Sequence, residues 1–209
     1  MSPDVSSATA AGAETAGLRA RKKERTRRLL AEVALDLFEA RGFDRTTVDD
    51  IAAAAEVSPR TFFRYFAAKD EALFDRAADV QEQFRALLAS RPADEPLLVA
   101  LREIGAALIA GELVDEDRVR RVVALVHTEP ALRSRYEALM GMIEADLTDW
   151  AADRLGVPPS DMRPRLLAAA VLAARRVAMD VWLESPGVDL SGQVSRAIGL
   201  LAPGLTDGA

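Results

Sequence analysis

The stretch that decides the fold runs from Thr47 to Phe66: Thr-Val-Asp-Asp-Ile-Ala-Ala-Ala-Ala-Glu-Val-Ser-Pro-Arg-Thr-Phe-Phe-Arg-Tyr-Phe. It contains two helix starts. Thr47 is a natural N-cap, and Asp50, three residues on, makes a capping box with Asp in the place of Glu. Asp49 and Asp50 also complement the positive end of the helix dipole. Ser58 is a second cap, and Pro59 takes the first helical position, where its missing N–H costs nothing. The small side chains between Ile51 and Ala55 let another helix pack close. Two short capped helices joined by a tight turn form a helix-turn-helix. On the second helix Phe62 and Phe66, at i and i+4, point inward, so Arg60, Thr61 and Arg64 fall on the exposed side. Arginine binds guanine O6 and N7 in a bidentate manner, and a threonine methyl meets a thymine methyl. Tyr65 and Lys69 lie within reach of phosphate.

Upstream, the spacing predicts a helix over 24–41, with Leu29, Leu30, Val33, Ala34, Leu37 and Phe38 on one apolar face. Gly42 is the expected left-handed stop, and Phe43 folds back onto the helix end. Charge is unevenly spread. From Arg19 to Arg76 there are 13 Lys/Arg against 11 Asp/Glu, whereas the remainder carries 14 against 22. The excess peaks between Arg19 and Arg28, with seven positive residues and one negative. A basic front on an acidic body suits a segment that meets phosphate; a solvated basic helix start reads equally well on charge alone.

Downstream, a fourth helix is expected from about Lys69, with Asp70 and Glu71 in its first turn. It carries Leu73, Phe74, Ala77, Val80, Phe84, Leu87 and Leu88 inward. Further helices are expected over 97–110, 115–127, 131–155, from 161 or 164 to 183, and over 190–201, punctuated by Pro92, Pro96, Gly111, Pro130, Gly156 and Gly187. That makes nine helices and no strand, an all-α protein. Composition agrees: the 209 residues are 50% hydrophobic and rich in Ala and Leu, enough to build a core from good helix formers. Cysteine is absent and His127 is the only histidine, which excludes disulfides, thiolate metal sites and a His-rich metal centre. No cofactor and no metal is expected. Residues 1–18 lack a signal-peptide pattern and read as a disordered tail. The longest apolar run, Leu166 to Ala174, is far short of the about 20 residues of a membrane span. A soluble cytoplasmic protein without membrane contact is expected.

Residues 24–74 resemble the DNA-binding domain of the TetR family of bacterial transcriptional regulators. The resemblance rests on Leu37-Phe-Glu-Ala-Arg-Gly-Phe43, Thr46-Thr-Val-Asp-Asp-Ile-Ala52, Val57-Ser-Pro-Arg-Thr-Phe-Phe-Arg-Tyr-Phe66, Lys69 and Leu73, in order and at the right spacing. It implies a helix-turn-helix domain over 19–68 and an effector-binding and dimerisation domain over 69–209. It further implies that Thr47 and Lys69 hold the DNA backbone while Pro59, Arg60, Thr61 and Arg64 face base edges. Ser58, Phe63 and Tyr65 complete the expected DNA-binding set. Phe63 stands where the family usually has a phosphate-binding tyrosine and lacks the hydroxyl for that bond. Arg64, a cation where the family often has histidine, compensates in this reading. The string Ser58 to Phe66 and the Ala-rich helix carrying Arg175 and Arg176 resemble a branch with acyl-CoA-like ligands.

In the body, the expected effector-binding residues are Phe84, Leu108, His127, Tyr136, Met140, Ile143, Arg175, Arg176 and Met179. Flexible apolar side chains reshape around an elongated guest, and an arginine at the end of the apolar run pairs with an anionic head group. The alternatives stay open: Tyr136, Met140, Ile143, Leu147 and Trp150 equally form a core stripe, His127 a helix cap, and Arg176 a partner of Asp180. The segment from Leu166 to Trp182 is apolar on more than one face. A two-fold dimer is expected there, with Ala170, Ala174, Val177, Val181 and Ile198 at the interface. The whole reads as a ligand-responsive repressor: a homodimer on a palindromic, double-stranded operator, released by a hydrophobic or amphiphilic effector. Two rivals are an all-α enzyme, for which the sequence offers few reactive groups, and a non-sensing architectural DNA-binder.

Overall fold

The computed structural model describes residues 5–111, 115–185 and 187–201. Among these there are ten α-helices and no strand: α1 Val5–Arg41, α2 Val48–Ala54, α3 Pro59–Phe63, α4 Lys69–Leu73, α5 Ala77–Ser90, α6 Leu97–Ala110, α7 Glu116–Thr128, α8 Pro130–Leu155, α9 Met162–Glu184 and α10 Leu190–Gly199. They fall into two compact units, Met1–Asp75 and Arg76–Ala209. No described helix is long and apolar enough to cross a membrane.

In the first unit the buried apolar residues are Leu30, Ala34, Leu35 and Phe38 of α1, Ile51 and Ala52 of α2, Phe62 and Phe66, and Ala72 and Leu73 of α4, with α1 packed on α2 and α4 and α2 packed on α3. Leu29, expected on the apolar face, is instead exposed. Gly42 takes a left-handed φ of 86°, and Phe43 turns back to meet Phe38 edge-on at 5.1 Å. Three expectations change. The helix expected over 24–41 begins at Val5, so the tail expected over 1–18 is helical from there, in keeping with its alanine content; residues 1–4 lie outside the described ones. The fourth helix is broken between Leu73 and Ala77 into α4 and α5, which is why there are ten helices. Phe74 leaves the helix with φ −102° and ψ 33°. The Arg27 guanidinium donates to the Asp75 carbonyl, a group that an unbroken helix would give to residue 79. That bond ties Asp75 to α1, and the two compact units divide at 75/76, seven residues beyond the expected 68/69.

In the second unit the core is built on Phe84, Leu88, Leu101, Ile104, Leu147, Trp182, Leu190, Val194 and Ile198. α6 lies close against α10 because Gly105 has no side chain: a Cβ there would stand 3.2 Å from both Val194 and Ile198. α5 is bound to α8 by polar contacts. Gln81 Nε2 and Arg85 Nε donate to the two oxygens of Asp146 at 2.8 and 2.9 Å, and Trp150 Nε1 donates to the Leu88 carbonyl at 3.0 Å. Arg154 lies over the Trp150 ring and donates to the Pro92 and Glu95 carbonyls, fixing the turn between α5 and α6. Arg120 of α7 stacks on Trp182 and donates to the Leu183 carbonyl at the end of α9.

Candidate nucleic-acid interface and ligand cavity

The helix-turn-helix is held by its caps. The Thr47 hydroxyl accepts from Asp50 N at 3.1 Å and donates to Asp50 Oδ2 at 2.6 Å, while Thr47 N donates to the same carboxylate at 2.9 Å. These bonds from Thr47 hold the Asp50 carboxyl below its ordinary range. The Ser58 hydroxyl accepts from Thr61 N at 3.1 Å and shares a hydrogen bond with the Thr61 hydroxyl at 2.9 Å. Pro59 is the first residue of α3, as expected. Between the two helices Glu56 has φ 56°, the left-handed turn residue. Phe62 and Phe66 are buried, and Pro59, Arg60, Phe63 and Arg64 stand exposed. These four share one face of α3 by helical spacing.

Several residues expected to bind DNA are engaged within the protein. Lys69 Nζ donates to the Phe43 and Thr46 carbonyls at 2.6 and 2.9 Å and lies 4.1 Å from the centre of the Phe43 ring. It therefore braces the α1–α2 turn that positions Thr47, and only the third ammonium proton is left for phosphate. Arg64 leans over Tyr65, donating to its hydroxyl at 3.3 Å. Burial raises the Tyr65 hydroxyl, but hydrogen bonds with Arg64 and Thr26 and the charges of Arg64 and Lys23 outweigh it, leaving a net lowering. Sequence spacing cannot reveal the commitment of Lys69, because Lys69 and Phe43 lie 26 residues apart.

A cavity of about 480 Å³ opens among α7, α8 and α9. Of the expected effector-binding residues, His127, Tyr136, Met140, Arg175, Arg176 and Met179 line it. Phe84, Leu108 and Ile143 do not: Phe84 is buried in the core, and Leu108 and Ile143 pack against that core. Arg175 Nη1 donates to the Tyr136 hydroxyl at 3.0 Å and reaches Met140 Sδ at 3.5 Å. Asp180 stands 3.9 Å from His127 Nε2. Arg133, Glu137, Gly141, Glu144, Val123, Val126, Ala169, Leu172 and Ala173 also line the cavity and were not anticipated. Their signal was present on α8: Arg133, Glu137 and Glu144 continue the Tyr136–Met140 face, and a core face does not carry charges at that spacing.

On α9 the outer face stays apolar. Val177 is 54% and Val181 42% exposed, Leu166 and Met162 are also exposed, and Ala170 and Ala174 lie partly open between them. Ile198, expected on the same surface, is only 2% exposed; its side chain packs inward on α6 across Gly105.

Residues 30–77 match the bacterial regulatory proteins of the tetR family, and residues 95–206 match the MftR C-terminal domain. The chain belongs to the TetR family. It is 39% identical over 181 residues to the HTH-type transcriptional regulator TcmR of Streptomyces glaucescens, covering 83% of this chain and 80% of the relative. It is 29% identical over 188 residues to the regulator designated MftR in Mycobacterium tuberculosis, covering 88% and 93%. Among solved structures it resembles Thermus thermophilus FadR, a repressor in complex with lauroyl-CoA, with 27% identity, a TM-score of 0.55, and coverage of 88% of this chain and 96% of that one. This TetR-family chain is thus a transcriptional regulator and not an enzyme, which removes the first rival reading.

Proposed function

We propose that this regulator is a repressor that binds a palindromic operator as a homodimer through α3 and is released by an amphiphilic effector. The observation that carries the reading is the exposed face of α3, on which a capped, buried-backed helix presents Pro59, Arg60, Phe63 and Arg64 to solvent. The basic segment before it supplies counter-ion-releasing contacts to phosphate. The exposed apolar stripe on α9 supports dimerisation, since a patch of this kind is rarely left in water and half-sites about 34–36 Å apart call for two matched recognition helices. Its site of action is the cytoplasm, with the DNA.

The cavity supports effector sensing and speaks against a purely architectural DNA-binder. Its volume lies within the usual range for small-molecule sites. Met140, Met179, Leu172 and the valines offer an adaptable apolar lining, and the partners of Arg175 are a phenol and a thioether, neither of which neutralises it. An acyl-CoA-like ligand, of the kind held by the FadR relative, fits this combination of apolar wall and local cation. Such an effector releases DNA only by binding the DNA-incompetent conformation better, typically by 5–150-fold.

Selection from random duplexes tests the reading. A palindrome should be enriched, its binding should weaken steeply with salt, and Arg60→Ala should cost about 1–3 kcal/mol and relax base preference. Absence of any enriched palindrome overturns it. Val181→Asp should give a monomer by light scattering that no longer holds the operator. Saturated acyl-CoAs should release the operator with increasing effect of chain length, blunted in Arg175→Ala. Release by none of them removes the acyl-CoA assignment.

A further inference from the structure

Phe63 is the one member of the exposed α3 face without an evident task. The core beneath α3 is filled by its neighbours: Phe62 is buried, Phe66 nearly so, and their rings meet at 5.5 Å. Phe63 contributes an edge contact to Phe62 at 5.7 Å, and the residue is otherwise 56% exposed. A phenyl ring in water is unfavourable, and nothing in the packing of this unit requires one at that position. Helical spacing sets Phe63 one turn after Pro59 and Arg60, so its ring stands among the exposed side chains of the same face.

The ring has no donor or acceptor. Phosphate oxygens and the polar edges of bases therefore offer it nothing. The major groove presents one apolar group at base edges, the C5-methyl of thymine. The threonine beside it is differently placed, since the Thr61 hydroxyl is turned to Ser58 at 2.9 Å. We infer that Phe63 is a specificity-determining residue, its ring packing against the methyl of a thymine in each operator half-site, so that the position reads a base rather than gripping the backbone. This rests on the reading that α3 enters the major groove of a palindromic operator.

The test uses the full-length protein and the duplex recovered by selection, with each thymine replaced in turn by deoxyuridine, which removes only the methyl. At one symmetry-related pair the wild type should lose about fourfold in affinity per substituted half-site, the worth of one buried methyl-sized group. Phe63→Ala, checked for folding by circular dichroism, should bind thymine and uracil duplexes equally at that pair while keeping the wild-type response elsewhere. Phe63→Leu should keep part of the thymine preference. Equal thymine-to-uracil ratios for wild type and Phe63→Ala at every position overturn the inference. So does a Phe63→Tyr protein that binds all duplexes more tightly and alike, since that places the ring at the backbone. A selection that yields no duplex removes the operator reading and this inference with it, whereas a duplex without a Phe63-dependent thymine removes this inference alone.

Discussion

The two units are held by different forces. In Met1–Asp75 the working helices are short: α2 has 7 residues and α3 has 5. Helices of that length are far too short to persist alone in water. Their N-terminal ends are closed by side chains: Thr47 with Asp50 and Ser58 with Thr61. Lys69 closes the turn before α2 by binding its carbonyls. In Arg76–Ala209, α8 has 26 residues and α9 has 23. There the faces matter more than the ends, through the Trp182-centred core and cross-helix bonds such as those from Gln81 and Arg85 to Asp146. The exposed face of α3 is thus fixed by a few local bonds, and the body by distributed packing.

The largest effect expected from this contrast is at Trp182, which is 1% exposed and carries the Arg120 guanidinium on its face. Trp182→Ala should cost about 3–5 kcal/mol. Hydrogen exchange read by mass spectrometry should show lost protection in α6, α9 and α10 with α1 to α4 unchanged. Equal loss in both units would break the contrast and show one cooperative structure.

A smaller effect is expected at Asp146. Its removal leaves the buried Gln81 amide without its acceptor, so Asp146→Ala should cost about 1–3 kcal/mol in denaturant unfolding. An Asp146→Asn protein retains an acceptor and should lose less. If both variants lose equally little, the α5–α8 link contributes nothing to stability.

The cap at Thr47 should be worth about 1 kcal/mol, and Thr47→Ser should restore most of what Thr47→Ala loses. The sharper readout is operator affinity, which should fall for Thr47→Ala by more than the stability change accounts for if the capped turn positions α3. Wild-type affinity in Thr47→Ala would show that packing alone positions the helix.

The smallest effect concerns Asp161, the cap of α9, whose carboxyl is held down to about 2 from an ordinary 3.8 by side-chain and backbone hydrogen bonds from Arg163. A carboxyl depressed in the folded state contributes stability above its unfolded value and loses it as pH falls toward the folded one. Asp161→Asn keeps a capping side chain and removes the charge. The melting temperatures of the two proteins should therefore converge as pH drops from about 4 to about 2, and a difference that is unchanged over that window would show that Asp161 acts only as a neutral cap.

The helix-turn-helix was largely legible because its signals are local. A cap and its partner lie three residues apart, and a buried pair four apart. The parts that were not legible join distant residues: Arg27 with Asp75, which splits the fourth helix, and Lys69 with Phe43 and Thr46. In the body, the stripe Tyr136, Met140, Ile143, Leu147 and Trp150 carried two readings, core and cavity, and both apply. Tyr136 and Met140 line the cavity, while Ile143, Leu147 and Trp150 join the core.

By itself, then, the sequence determined the all-helical class, the capped helix-turn-helix and the exposure of Arg60 and Arg64, since each follows from interactions within a turn or two of helix. Tertiary structure decided where the first unit ends, which apolar residues of α8 and α9 meet a cavity, and that Ile198 turns inward against α6 while Val177 and Val181 remain outside. An amphipathic pattern states that a face is apolar. Whether that face meets its own core, a cavity or open solvent depends on how closely the next helix approaches, and at α10 that distance is set by the missing side chain of Gly105, which no pattern within α10 encodes.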